Sequence, residues 1–244
     1  MEDQRRLYGD LAWTWPIISQ KEHYIIEAGQ FVQAIRQHSR IEAKTLLNLG
    51  CGGGHNDWTL KKHFAATGVD ISENMLASAR ELNPEVTYAH GDMRTIRMSH
   101  TFDAVIIADS IDYMLTEDDL RAAFATAHAH LNPGGVFCTY AEATRENSPH
   151  DKTYSCTGRQ GDVEIAFFEH SYDPNPADTI YESVFVYLIR RRGALEIQTD
   201  RHTLGVFPEA TWERLLREVG FEVHHMLFSE PDLPAPIPFF ACVK

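Results

Sequence analysis

Long hydrophobic runs are missing from this chain: nothing approaches the roughly 18 consecutive apolar residues that suggest a membrane-spanning helix, so no membrane attachment is expected. The opening residues MEDQRRLYGD lack the apolar centre of a signal peptide, which points to a cytoplasmic protein. Cysteine is scarce. Cys51, Cys138, Cys156 and Cys242 are four in 244 residues and show no CxxC spacing, which disfavours both a disulfide framework and a zinc site of that kind. Positive charge is short as well, with 22 Lys and Arg against 35 Asp and Glu and a formal charge of -13. That balance argues against a nucleic-acid partner held by phosphate neutralisation, and the short run Arg190 to Arg192, broken at once by Gly193, reads as a solvated turn. The 13 histidines are not matched by partner ligands at familiar spacings, so no metal is expected. Internal repeats and low-complexity segments are absent too.

What is present is an alternation of short apolar strands with helical stretches, on a chain long enough for one large α/β domain spanning 1–244. Residues 19–37 place Ile25, Ala28, Val32 and Ile35 on one helical face. Strands are predicted at 45–49, 66–70, 86–90, 103–109 and 136–140, and helices at 55–63, from Ser72 to before Pro84, and from Thr116 to Leu131. Asn132-Pro133-Gly134-Gly135 stops the last of these. Strands separated by helices of such length predict a parallel sheet built of right-handed crossovers. The texture then changes: 147–152 reads as a loop, and three β-rich stretches at 162–172, 179–190 and 195–206 predict an antiparallel meander within an insertion covering 150–206. A helix from Pro208 to Gly220 and strands at 221–228 and 237–243 complete the pattern.

The run LLNLGCGGG ends the first strand in glycines, and side-chain-free main chain there lets N–H groups and a helix N-terminus approach a ligand. Asp70 ends the second strand 20 residues after Gly50, where a carboxylate can accept both hydroxyls of a ribose. Together they predict an adenosine-type cofactor. A dinucleotide fingerprint, GxGxxG, would need glycine where this chain has His55, whereas Gly50, Gly52 and Gly54 give GxGxG, a spacing that favours S-adenosylmethionine (SAM).

At this point the sequence resembles the class I SAM-dependent methyltransferases over nearly its whole length, with NLGCGGG, GVDIS, GDM at 91–93 and LNPGG at 131–135 in register with their motifs. The resemblance implies a Rossmann-like seven-stranded sheet of order 3-2-1-4-5-7-6 with the seventh strand antiparallel, with the insertion and the N-terminal segment 1–40 forming a lid. It also implies SAM as cofactor and S-adenosyl-L-homocysteine as product. Gly50, Cys51 and Gly52 would line the methionine part, Asp70 the ribose, Ile71 and Met75 the two faces of the adenine, Asp92 of the pair Gly91-Asp92 its exocyclic amine, and Met93 its cover, with Ala108 and Asp109 near the sulfonium. Asn48 departs from the acidic residue usual before the glycines. More narrowly, the arrangement ending in TLGVFPEATWERLLREVGFEV is similar to TDP-aminosugar N-methyltransferases and related small-molecule enzymes, although TYAEATRE stands where those relatives carry aromatic residues for the nucleotide sugar.

The acceptor side is expected to hold a small molecule. Tyr8, Trp13, Trp15 and Tyr24 crowd the N-terminal segment, where aromatic faces could cover the cofactor, attract a cationic amine, or pack the first helix on the sheet. Tyr113 lies just beyond the fourth strand, where relatives place a residue facing the acceptor. His202 shares a strand face with Glu196, Gln198 and Asp200, either looking into the cleft or toward solvent; it is the first candidate for a general base and His170 the second. The function expected is methyl transfer in line to an amine. The alternatives are O-methylation of a hydroxylated metabolite, an NAD-dependent oxidoreductase and a non-catalytic SAM-binding protein. The oligomeric state is left open, a homodimer included.

Overall fold

In the computed structural model, which describes residues 5–147, 151–229, 233 and 235–244, the apolar strands assemble into one seven-stranded sheet. β1 (Thr45–Leu49), β2 (Ala65–Asp70), β3 (Thr87–His90), β4 (Phe102–Ile107) and β5 (Leu131–Tyr140) run parallel. β11 (Ile237–Val243) is antiparallel to β5 and to β10 (Glu222–Phe228). The order β10-β11-β5-β4-β1-β2-β3 is the expected one, with the direction of growth reversing between β1 and β4. Such a reversal opens a crevice beyond the carboxyl ends of those two strands.

Both faces of the sheet are covered, so its strands are apolar on both sides. Leu46, Ala104, Ile106, Val136 and Cys138 pack on α2 (Ile25–His38) and α3 (His55–Leu60). Leu47, Leu49, Val105, Ile107 and Phe137 point the other way, onto α5 (Glu117–His130) and α6 (Glu209–Val219). Two caps read from the sequence are formed. Ser72 Oγ accepts the Met75 N–H at 3.1 Å to open α4 (Glu73–Leu82), and Thr116 Oγ1 accepts the Asp119 N–H at 3.1 Å to open α5. Gly220, at φ 110°, ends α6 with the Phe221 N–H on the Leu216 carbonyl at 3.2 Å. No helix among the described residues is long and apolar enough to cross a membrane.

The insertion differs from expectation. It is a four-stranded antiparallel sheet of β6 (Lys152–Gln160), β7 (Val163–Tyr172), β8 (Ile180–Arg191) and β9 (Ala194–Gly205) in that order, not a three-stranded meander. β6, KTYSCTGRQ, is an exposed edge strand with little apolar alternation, so it carries no strand signal and exists by pairing with β7. Of the loop expected at 147–152, residues 148–150 lie outside the described residues.

Smaller differences sit at element ends. The first long helix begins at Ile25, after a 3-10 turn over Lys21–Tyr24, and Ile25 itself is 45% exposed, because the entering turn faces it away from the sheet. α3 stops at Leu60, β4 at Ile107, and β5 starts at Leu131 because the Asn-Pro-Gly-Gly stretch enters the sheet through a register shift opposite Phe102 and Ala104.

The N-terminal segment ties the two sheets together. Its 3-10 turns Arg6–Tyr8 and Ala12–Thr14 and helix α1 (Trp15–Ile18) bury Leu7, Leu11, Ile17 and Ile18 against Ile165, Phe167, Phe185, Tyr187 and Ile189 on the inner face of the second sheet. Gly158 allows the closest approach: a Cβ there would stand 1.9 Å from the Ile17 carbonyl oxygen. The segment also reaches the first sheet, where Ser72 Oγ donates to the Tyr8 carbonyl at 2.6 Å.

Candidate active site

A cavity of about 480 Å³ lies at the carboxyl ends of β1, β2 and β4, roofed by the N-terminal segment. The glycine turn forms one wall. Gly50, Gly52 and Gly54 have φ of 75°, 53° and 76°, the left-handed region, and a Cβ on Gly50 would fall 2.1 Å from Ser110 Oγ. The N–H groups of Gly50 and Cys51 both reach the Val69 carbonyl, which folds the turn back over β2. Asp70 faces it across the crevice: its Oδ2 accepts the Gly52 N–H and its Oδ1 the Ser72 N–H, both at 2.8 Å. Burial raises the Asp70 carboxyl above its ordinary value, against those N–H bonds.

Behind the turn the acid lies on α3. Asn48 stands before the glycines, and its Nδ2 donates to Oδ1 of Asp57, in the first turn of α3, at 2.9 Å. Tyr88 donates to the other Asp57 oxygen at 3.0 Å. Burial pushes the Asp57 carboxyl up to about 6. On the roof, Trp15 stacks on His55 with ring centres 6.1 Å apart, and Tyr24 touches the same imidazole at 5.2 Å. Burial, with Lys21 nearby, brings the His55 imidazole down to about 4, so it is neutral at pH 7.

The far end is polar and acidic. Arg94 grips Asp92 and bridges to Asp119, its Nη2 2.6 Å from Asp92 and its Nη1 2.8 Å from Asp119. That guanidinium holds the Asp92 carboxyl below the usual carboxylate range. Asp109 follows β4 by two residues and opens a 3-10 turn to Tyr113. It is surrounded by protein, which raises its carboxyl, yet its surface is exposed because it faces the cavity. No cation among the described residues pairs with it.

Of the residues expected at the cofactor, Tyr24, Gly50, Cys51, Gly52, Asp70, Ile71, Met75, Gly91, Asp92, Met93, Ala108 and Asp109 all line this one cavity, as do Tyr8, Trp15 and Tyr113 on the acceptor side. Three others do not. Trp13 lies outside, with the Arg191 guanidinium 5.0 Å over its ring. His170 is on the outer face of the second sheet, bonded to Thr153, because strand alternation points its neighbour Glu169 inward instead. His202 faces inward but behind the wall: it is fully buried, separated from the cavity by Tyr8, whose ring centre is 5.5 Å from its own, and by Tyr113, whose hydroxyl is 2.5 Å from His202 Nδ1. Asp200 on the same strand face bonds His202 Nε2 at 2.8 Å. The strand's outer end, with Glu196 exposed and Gln198 half-buried, has left the core. Arg94, Asp57 and Ser110 were not anticipated, since no spacing links them to the glycines.

Known proteins are similar to this one over the same elements. Residues 46–135 match the model of a methyltransferase domain. The dTDP-3-amino-3,4,6-trideoxy-alpha-D-glucopyranose N,N-dimethyltransferase of Streptomyces venezuelae is 30% identical over 205 residues, 83% of this chain and 85% of that protein. The dTDP-3-amino-3,6-dideoxy-alpha-D-glucopyranose N,N-dimethyltransferase of Streptomyces fradiae is 28% identical over 222 residues, 89% and 86% of the two chains. Among solved structures, Streptomyces venezuelae DesVI superposes with a TM-score of 0.83 at 26% identity, covering 100% of this chain and 99% of that one. SAM-bound CalS10, an amino pentose methyltransferase from Micromonospora echinaspora, superposes at 0.77 with 26% identity over 91% and 92%.

Proposed function

Because this chain belongs to the SAM-dependent methyltransferases, we propose that it methylates the amine nitrogen of a small molecule, an aminodeoxysugar carried on a nucleotide being the acceptor class to test first. The observation that carries the amine is Asp109, a carboxylate facing the cavity with no counter-ion among the described residues. A carboxylate crowded by protein and open only to the cavity, with no cation beside it, favours cations in that space. The sulfonium and an ammonium acceptor both meet that demand. The sugar rests on the names of the two Streptomyces relatives.

SAM supplies a methyl group already activated on sulfur. The residues then have to hold, align and dry the site, and proximity alone can be worth up to roughly 7–11 kcal/mol in ideal cases. Gly50, Cys51 and Gly52 take the methionine part and Asp70 the ribose. Ile71, 58% exposed although it lines the cavity, gives the adenine an apolar face, with Met75 on the other, Met93 as cover and Asp92 accepting from the exocyclic amine. Ala108 and Asp109 flank the reacting sulfur. Tyr8 and Tyr113 face the acceptor, and the N-terminal segment with Trp15 and Tyr24 closes over the site as a lid, excluding water.

Titration calorimetry with SAM and with NAD tests the first half: SAM binds and NAD does not. Mass spectrometry of mixtures with dTDP-3-amino-3,6-dideoxyglucose and, in parallel, a phenol tests the second. Methyl transfer to the phenol and not the amine would overturn the amine reading. Asp109→Asn is expected to lower kcat/KM for the amine at least about tenfold, the cost of losing one charge-assisted contact of about 1.5–3 kcal/mol.

A further inference from the structure

Four side chains from three distant parts of the chain form one line leading out of the cavity. Tyr8 and Tyr113 hydroxyls are 2.9 Å apart, Tyr113 is 2.5 Å from His202 Nδ1, and His202 Nε2 is 2.8 Å from Asp200 Oδ2. Only the two tyrosines line the cavity, while His202 and Asp200 are buried. Donor chemistry sets the direction. Asp200 can only accept, so Nε2 of His202 carries a proton, and in the neutral imidazole Nδ1 then offers its lone pair. Tyr113 must donate to that lone pair, and its oxygen then accepts from Tyr8. The Tyr8 oxygen is left as the acceptor at the cavity end.

We propose that this line is a proton exit for the acceptor amine, with Tyr8 as the group that touches it and His202 and Asp200 as positioning residues behind. The inference rests on the amine reading above. A site that favours cations receives its acceptor as an ammonium, which has no lone pair with which to attack the methyl carbon. As an N–H bond breaks at the ammonium, its proton passes to the Tyr8 oxygen, the Tyr8 proton to Tyr113, and the Tyr113 proton to His202 Nδ1. The line ends as an imidazolium beside the Asp200 carboxylate, both tyrosines are neutral again, and the amine holds a free electron pair. Opening of the lid returns the proton to water. The groups facing His202 from the packed elements are Asp200 on its own strand, Tyr8, Tyr113, Ser183 and the Phe185 ring of β8, and Glu169 of β7, whose charge also reaches it.

The same atoms couple the relay to lid closure. Asp200 Oδ2 also accepts the Leu7 N–H at 2.7 Å, and Arg6 donates to Gln198 and to the Thr199 carbonyl. Lifting the segment removes both Tyr8 and the bond that fixes Asp200, so the exit is complete only over a closed site.

Two measurements test this. In 15N-histidine-labelled wild-type protein, long-range 1H–15N correlation spectra should show His202 as the Nε2–H tautomer, and Asp200→Asn should turn it into a mixture. A wild-type Nδ1–H tautomer overturns the relay without any substrate. In turnover with SAM and dTDP-3-amino-3,6-dideoxyglucose, Tyr113→Phe and His202→Gln should lose about 10- to 100-fold at pH 7. They should recover to within about threefold at pH 9.5, where the amine arrives neutral, with SAM affinity unchanged. A loss equal at all pH values, or none, overturns it. If the wild type binds SAM but leaves this amine untouched, the acceptor reading fails alone and the tautomer decides the relay.

Discussion

Gly50 is held by two independent constraints, its φ of 75° and the Ser110 side chain 2.1 Å from where a Cβ would sit. Gly50→Ala therefore has to move either the turn or the start of the 3-10 turn that carries Asp109, and SAM affinity is expected to fall at least about tenfold, roughly 1.4 kcal/mol or more. Calorimetry checks it, and Ser110→Gly in the same chain should restore part of the loss; no restoration would mean that the backbone angle alone sets the cost. The glycine turn is legible in sequence because the turn, Asp70 and the strand between them fall within about twenty residues, whereas Ser110 lies far along the chain and is not. Tyr8, Tyr113 and His202 are 105 and 89 residues apart along the chain, and no spacing rule joins them. His202 and Asp200 could be seen to share a face, but whether that face looked inward depended on how β9 packs, which a polar strand does not reveal.

Elements were legible where burial leaves a period in the sequence. The parallel strands, α4, α5 and α6 carry apolar residues at regular intervals, and they form where expected apart from the early start of β5 at Leu131. β6 failed that test because one neighbour and solvent make few demands on side chains. The N-terminal segment failed it because several short turns have no period at all. Its attachment is nevertheless specific, and Ser72 is the hinge of it: one hydroxyl accepts the Met75 N–H as the cap of α4 and donates to the Tyr8 carbonyl. Ser72→Ala should cost about 1–2 kcal/mol through the cap. It should also speed proteolytic cleavage between residues 5 and 20. The urea midpoint reads the first effect and timed digestion the second. A shifted midpoint with unchanged digestion would show that the segment is held by its apolar contacts alone.

For the whole molecule, the response to pH follows from two buried groups on α3 that oppose one another. Asp57, raised from 3.8 to about 6 in the fold, is stabilising in its protonated form; its contribution is complete below about 3.8 and is lost as the pH rises through about 6. His55, lowered from 6.5 to about 4, works the other way: its contribution is complete above about 6.5 and is lost as the pH falls through about 4. The windows overlap, so the pair leaves the wild type with little net slope of its own between pH 4 and 6.5. Removing one partner exposes the other. Asn at position 57 reproduces the protonated carboxyl, accepting from Asn48 and facing the Tyr88 hydroxyl. The gain in stability of Asp57→Asn over wild type should thus grow with pH from about 4 to 6.5 and level off at roughly 3 kcal/mol. For His55→Gln the gain should grow as the pH falls over the same range, to a similar size. Because both are differences from wild type, the many surface carboxylates of a chain with a charge of -13 cancel. Urea unfolding of the three proteins at half-unit steps of pH measures the two curves. Parallel curves, or slopes of the same sign, would mean that α3 admits water and that neither group is held in the state its surroundings favour.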